Sequence, residues 1–342
     1  MKKIVVSVLC VLMLTVVLSP IFAGGTKEGS KEKHAFVFKN TGNPYGEKQM
    51  EGFKEIIEEH GFEAILRAPE QPTAEAQIQI IEQLIAQKVK SICVTANDYD
   101  ALQPVLIKAM NMGIKVTAAD SNVNPASRMT FINQADPELI GRTLVRAAYD
   151  LSGGSGDFAI LSATSQASNQ NLWIEWMKKE LTENSAKYRN LKLVKVAYGD
   201  DLRDKSVSET EALLRTFPQL KCIVAPTTVG IAAAAKVISD KGLTGRVAIT
   251  GLGLPSEMAE YIDNGSCPYM YLWNPIDVGK LAGYISIVLS SGKITGKVGE
   301  NFSAGKLGNF SVTKASDGGT EVLLGSPFKF DKANINEWKT VY

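Results

Sequence analysis

The sequence predicts an α/β protein made of two doubly wound parallel-sheet lobes. Short, continuous apolar runs recur along the chain, segments with a helical apolar stripe separate them, and the alternation starts again in the second half. Continuous apolar runs fit strands covered on both faces. A strand–helix alternation implies a parallel sheet with helices on both sides.

The elements follow in order. Ala35-Phe36-Val37-Phe38 reads as a first strand. A helix starts near Pro44, with Met50, Phe53 and Ile57 on one face and Gly61 as its stop. Residues 62–66 form the next strand. Pro72-Thr73 opens a helix whose Ala74, Ile78, Ile81 and Ile85 make one stripe. Ile92-Cys93-Val94 is a third strand, 102–110 a third helix and 114–119 a fourth strand. The second series has strands at 158–161, 193–196, 222–224 and 247–251, and helices at 172–181, 207–217 and 231–238. The halves resemble each other locally. Ser91-Ile92-Cys93-Val94-Thr95, a helix and Gly113-Ile114-Lys115-Val116 parallel Lys221-Cys222-Ile223-Val224-Ala225, a helix and Gly245-Arg246-Val247-Ala248.

Length and composition agree with two lobes. A chain of 342 residues suits two domains of about 100–200 residues each. Apolar residues make up 45% and charged residues 21%, enough for a sizeable core. Lys and Arg total 37 against 36 Asp and Glu, so no field of one sign points to nucleic acid or an anionic membrane. Two histidines leave little room for His-based catalysis or a multi-His metal site.

Residues 1–23 read as a secretory signal. Lys2 and Lys3 form the positive region, residues 4–17 an apolar stretch short of a membrane span, and Ala23 the small residue at the cleavage point. Cys10 has Leu near it on both sides and makes a poor lipoprotein site. Residues 24–33 form a Gly/Ser/charge-rich leader. Without Lys2 and Lys3 the chain holds 35 basic and 36 acidic residues, a net charge of −1. The expected protein is periplasmic. Cys93, Cys222 and Cys267 remain, an odd number, and apolar neighbours mark Cys93 and Cys222 as buried hydrophobes; no structural disulfide is expected.

In open parallel sheets ligands gather beyond the carboxyl ends of the strands. That rule selects Lys39-Asn40, Asn97-Asp98, Asp120-Ser121-Asn122, residues 166–170 and Pro226-Thr227-Thr228, a strongly polar set. Such residues also cap turns and helices, so capping competes with ligand binding at each position. No GxGxxG follows a strand, and the chain has no GxxxxGK[ST], GxSxG or HExxH. His34 and His60 carry no assigned chemistry. A binder without cofactor, metal or catalytic residue is the expectation, in place of an exported hydrolase or isomerase.

On these residues the chain resembles the periplasmic sugar-binding proteins of ABC importers, in the branch related to ribose-binding proteins. The likeness covers residues 34–342. Ala119-Asp120-Ser121, Phe131-Ile132-Asn133-Gln134, Asn169-Gln170-Asn171-Leu172-Trp173, Ala225-Pro226 and Gly251-Leu252-Gly253-Leu254-Pro255 are similar to the rhamnose-binding and autoinducer-2-binding subgroup. Leu272-Trp273-Asn274-Pro275-Ile276-Asp277-Val278-Gly279 resembles the rhamnose branch in particular.

The resemblance implies a type I periplasmic binding protein, its lobes joined by a three-strand hinge. Crossings are expected near residues 133–135, 273–275 and 295–298. Residues 34–133 plus 274–296 would form the N-terminal lobe, and 134–273 plus 297–342 the C-terminal lobe. Autoinducer-2 binders use a lysine, two aspartates, a glutamine, a proline and an alanine. Lys39, Asp120, Gln170 and Pro226 match, whereas Asn169 replaces the second aspartate and Thr228 the alanine. Both changes suit a cyclic sugar better, because an amide donates as well as accepts. Trp173, Trp273 and Asn274 complete the expected ligand set, with Tyr45 and Phe38 as further cover for C–H faces. Since Trp173 and Trp176 lie three apart on one helix, one of them is expected in the core. The implied partners are a small sugar, an ABC permease and, as a sensor alternative, a chemoreceptor; no nucleic acid is implied, and the expected state is a monomer. A repressor of the lactose-repressor type shares the two-lobed core but needs a basic helix-turn-helix where the export signal stands.

Overall fold

The computed structural model describes residues 31–342. The export signal, Cys10 and most of the leader lie outside the described residues, while Lys33, assigned to the leader above, already belongs to the first strand. The chain runs β1 (Lys33–Val37), α1 (Pro44–Glu59), β2 (Glu63–Arg67), α2 (Ala74–Ala86), β3 (Ser91–Val94), α3 (Gln103–Asn111), β4 (Lys115–Ala119) and β5 (Thr130–Ala135). Next come α4 (Pro137–Leu151), β6 (Gly156–Ser162), α5 (Ser168–Glu183), the short α6 (Ser185–Tyr188), β7 (Leu191–Tyr198), α7 (Arg203–Thr216), β8 (Leu220–Ala225), α8 (Thr228–Asp240), β9 (Ala248–Gly251), α9 (Pro255–Asp263) and β10 (Tyr269–Leu272). The last part contains α10 (Pro275–Ser290), β11 (Asn301–Ser303), β12 (Asn309–Ser311), β13 (Thr313–Lys314), β14 (Thr320–Gly325), β15 (Phe328–Asp331) and α11 (Ile335–Trp338).

Two parallel sheets result. The first has the order β13-β14-β5-β4-β3-β1-β2, with only the edge pair β13–β14 antiparallel. The second has the order β7-β6-β8-β9 and is parallel throughout. Ala35, Phe36 and Val37 of β1 are fully buried, as a strand covered on both faces requires. The helix starts share one device. Asn43, Asp136 and Asn274 each precede a proline, and their side chains accept backbone N–H groups of α1, α4 and α10.

The chain passes between the lobes at three places: from β5 to α4, from β10 to α10, and from β14 to β15. The third corrects the sequence expectation. Residues 295–298 make a local turn, where the Glu300 carboxylate accepts the N–H groups of Thr295, Gly296 and Lys297. The chain then stays with the first sheet, because β14 pairs in parallel with β5, Val322 opposite Ile132. Residues 313–325 therefore belong to the N-terminal lobe, and the crossing lies between Gly325 and Phe328, where β15 joins β10. A six-residue strand far along the chain finds its partner only through tertiary pairing.

Helix α10 returns to the first sheet and packs on α1 through glycines. A Cβ on Gly279 would lie 1.9 Å from the Gln49 carbonyl oxygen, and one on Gly52 2.1 Å from that of Ile276. Backbones that approach this closely leave no room for any side chain. We expect Gly279→Ala to lower stability by about 1–3 kcal/mol, the usual cost of overpacking, read from urea unfolding. An unchanged midpoint would mean that the two helices can separate freely.

Candidate functional site

Asp120 follows β4 directly. Its N–H still joins the sheet by donating to the Ile132 carbonyl (3.1 Å), while Ser121 N–H turns back to the Ala119 carbonyl (2.7 Å). This two-residue step is a γ-turn with Asp120 at its centre, in the left-handed region at φ 63°. Such turns are rare and strained, and Asp is among the few side chains that tolerate the conformation. The reversal turns the buried carboxylate into the gap between the lobes.

Lys39 follows β1 and is held by a buried amide relay. Gln77 Nε2 donates to the carbonyls of Phe38 (3.1 Å) and Thr95 (2.9 Å), and Gln77 Oε1 accepts from Asn97 N–H (2.8 Å). Asn97 Nδ2 then donates to the Lys39 carbonyl (2.8 Å). Asn97 thus serves the wall from behind; it positions Lys39 and does not line the pocket.

The opposite lobe meets these two residues with the first turn of α5. Asn169 Nδ2 donates to Asp120 Oδ1 (3.2 Å), and Asn169 Oδ1 accepts from Lys39 Nζ (3.3 Å) and Ser121 Oγ (3.2 Å). Gln170 Oε1 is a second acceptor for Lys39 Nζ (3.4 Å). Asn169 therefore uses both halves of its amide, the donor on a carboxylate and the acceptor on an ammonium. An aspartate here would set carboxylate against carboxylate.

A narrow cavity of about 30 Å³ lies between the lobes. Lys39, Asp120, Gln170, Trp173, Pro226, Thr228 and Trp273 border it, as do Phe38 and Tyr45. Four aromatic rings form a continuous wall from one lobe to the other. Phe38 and Tyr45 lie 6.5 Å apart, Tyr45 and Trp273 6.4 Å in edge contact, and Trp273 and Trp173 5.8 Å. The Trp273 indole N–H donates to the Tyr45 hydroxyl (2.6 Å), which also accepts from Gln49 Nε2 (3.1 Å). Both rings are thereby fixed in place. Trp176, by contrast, turns outward against the cations of Arg142 and Lys179.

Seven of the nine sequence-selected residues border this cavity. Asn169 reaches it only through its bonds to Asp120 and Lys39, and borders an adjoining space. Asn274 is not brought to it. Its side chain accepts the Ile276 N–H (2.9 Å) to cap α10, so capping prevails over ligand binding there. Asp201 was missed, together with Asn43, while Thr227, already selected by the strand-end rule, borders the cavity as well. Asp201 follows β7 in left-handed backbone at φ 53°, and its carboxylate accepts the Thr227 hydroxyl. The strand-end rule would have found it had the strand been read to Tyr198 and not to Val196.

Burial dominates the electrostatics. Removal from water pushes the Asp120 carboxyl up to about 6, although Lys39 and the Asn169 amide pull it down; the charge of Asp201 adds to the rise. The Tyr45 phenol is raised well above its ordinary value, first by burial and then by Asp120. Cys93 and Cys222 are buried free thiols pushed to about 12, inert as nucleophiles. Among the described residues no group of three His, Cys, Asp or Glu side chains could hold a metal.

Two parallel α/β lobes linked at three points, with polar strand ends facing an aromatic wall across a cleft, define a ligand-clasping binding protein. Residues 34–294 match the family described as periplasmic binding protein domain, and the chain belongs to that family. It is a binding protein and not an enzyme. A solved ABC transporter solute binding protein from Clostridium phytofermentas, with bound L-rhamnose, is 50% identical with a TM-score of 0.89, covering 91% of this chain and 99% of that one. The D-ribose/D-allose-binding protein of Pseudomonas aeruginosa is 24% identical over 244 residues, 68% of this chain and 74% of the relative. LsrB from Clostridium saccharobutylicum in complex with AI-2 shares the fold, with a TM-score of 0.84 at 24% identity over 90% of this chain and 99% of that one.

The raised carboxyl has a signed consequence. Below about pH 4 Asp120 is protonated in both folded and unfolded chains, and no penalty exists. Above about pH 6 the folded chain carries the buried charge, so stability is lost as the pH rises through that window, by about 3 kcal/mol at most for two pH units. Asp120→Asn should abolish this component, and asparagine also tolerates the left-handed turn. Urea unfolding of both proteins at pH 4 and 7.5 should show the variant gaining on the wild type at the higher pH; equal differences at both would refute the assignment.

Proposed function

We propose that the protein captures a small neutral sugar, with L-rhamnose the leading candidate, and presents it to the permease of an ABC importer. The observation that carries this reading is the Lys39–Asn169–Asp120 cluster beside the aromatic wall. A sugar hydroxyl donates and accepts at once, and the cluster together with Gln170 offers an ammonium, a carboxylate and two amides within one small volume. The rings cover C–H faces and suit the methyl group of a 6-deoxy sugar. The L-rhamnose ligand of the 50% identical relative points the same way. Ribose, xylose and arabinose are further sugars of suitable chemistry.

Closure follows from where the groups sit. Lys39 and Asp120 come from the N-terminal lobe, Asn169, Gln170, Asp201, Pro226 and Thr228 from the other. A ligand that touches both sets binds the closed form better and shifts the population toward it. Autoinducer-2 is the second reading, favoured by Lys39, Asp120, Gln170 and Pro226 and opposed by Asn169. The amide of Asn169 donates to Asp120, as an aspartate could not at neutral pH. A chemoreceptor is a partner that a closed, loaded form could also serve.

Calorimetry against L-rhamnose, ribose, xylose, arabinose and autoinducer-2 tests the reading. Saturable, metal-independent binding of L-rhamnose is expected; binding of autoinducer-2 alone would replace it with the second reading. Asp120→Ala removes two charge-assisted hydrogen bonds at about 1.5–3 kcal/mol each, so affinity should fall by more than about a hundredfold. Stability should change far less than affinity, since removal of a buried charge offsets the cost of alanine in the left-handed turn. Normal affinity in a destabilised variant would show that Asp120 only shapes its turn.

We further propose that the protein works in the periplasm and begins near Gly24 after removal of the signal. The charged, apolar and small-residue pattern of residues 1–23 supports this, and among the described residues no helix is long and apolar enough to cross a membrane. Mass spectrometry of exported protein should find an N-terminus near Gly24; retention of Met1 would overturn the assignment.

A further inference from the structure

Behind the Asp120–Asn169 contact lies a second, roomier cavity, which the sugar reading above leaves unused. It holds about 250 Å³, and Asp120 and Trp173 border both spaces as a shared partition. One side of the second cavity is apolar, from Phe131, Pro137 and Leu172. The other carries Glu321, Asp317 and Tyr99. Asp317 is fully committed. Its Oδ2 accepts from Arg128 Nη2 (2.7 Å), Asn122 Nδ2 (3.0 Å) and the Tyr99 hydroxyl (3.3 Å), and its Oδ1 from Gly319 N–H (3.0 Å). Glu321 is not. Asn133 Nδ2 donates to its Oε2 (2.9 Å), and among the described residues nothing donates to its Oε1. Burial also raises the Glu321 carboxyl, as expected of a carboxylate with only partial compensation.

The chemistry of this space selects its occupant. Asp120, Asp317 and Glu321 border this space and, among the described residues, no cation does, which disfavours phosphate, sulfate or carboxylate ligands. An apolar face opposite a free hydroxyl acceptor repeats the pattern of the first cavity, and Trp173 borders both spaces. We propose that the second cavity is an accessory subsite for the second ring of a rhamnose-containing disaccharide or glycoside, with Glu321 Oε1 accepting one of its hydroxyls. The inference rests on the sugar-binding reading of the first cavity and extends its substrate class from free sugars to short glycosides.

The test is calorimetry of the purified protein with L-rhamnose and with an L-rhamnosyl-L-rhamnose disaccharide, in the wild type, Glu321→Gln and Leu172→Trp. Neither substituted residue borders the first cavity. The wild type should bind the disaccharide at least about tenfold more tightly than the monosaccharide, about 1.4 kcal/mol. Glu321→Gln keeps an oxygen for Asn133 but removes the charge, and Leu172→Trp fills the space. Each should bring the ratio near one while L-rhamnose itself binds within twofold of wild type. Rhamnose binding with no gain for the disaccharide, or a gain that survives both variants, would overturn the accessory subsite alone. Failure of both sugars would overturn the sugar reading and the subsite with it. Binding of the disaccharide without the monosaccharide would uphold the subsite.

Discussion

The burial of one carboxylate governs this molecule. Asp120 sits at the centre of a strained γ-turn, out of reach of bulk water, and its charge is compensated from both lobes. Asn169 supplies the direct hydrogen bond and Lys39 the nearby positive charge. Neither restores what water would give, so the carboxyl is held well above the ordinary aspartate range. A group left in this condition is an acceptor in search of hydroxyl donors. The same desolvation that destabilises the empty arrangement makes each added hydrogen bond worth more.

The scaffold exists to keep that arrangement open to closure. Lys39 and Asp120 are fixed to the first sheet by the Gln77–Asn97 relay and by the Ile132 carbonyl; Asn169 and Gln170 ride on the first turn of α5. Three chain crossings join the lobes, and a few direct contacts reach across the cleft. Ser168 is one of them, with its hydroxyl accepting the Asn122 N–H (3.0 Å) and donating to the Asn122 carbonyl (3.1 Å). Rigid lobes with few cross-links suit hinge closure, since each lobe keeps its own packed core while the gap changes. The close α1–α10 contact serves the same end by locking the returning helix to its lobe.

Asn169 also bears on what the cleft prefers. With an amide, the side chain at 169 is neutral and donates to Asp120. With a carboxylate, one of two facing acids would have to keep a proton. The difference is one atom, yet it decides whether Asp120 meets its ligand ionised at neutral pH.

Periodicity alone determined most of the fold, since buried parallel strands leave continuous apolar runs and their helices leave stripes. Polar residues at strand ends marked Lys39, Asp120, Gln170, Pro226 and Thr228 for the same reason: a parallel sheet delivers all its carboxyl ends to one edge. Trp173 was legible only as one of a pair, and Trp273 and the preference for sugars only through resemblance. Tertiary structure decided the rest. Asn274 is a cap because Pro275 starts a helix beside it, a competition that composition cannot rank. Asp201 joined the site because β7 runs two residues further than its apolar pattern. Residues 313–325 went to the first lobe because β14 pairs with β5, nearly two hundred positions away in sequence. Local pattern fixes which face of an element is apolar; which partner covers that face is settled only when distant segments compete for the same edge.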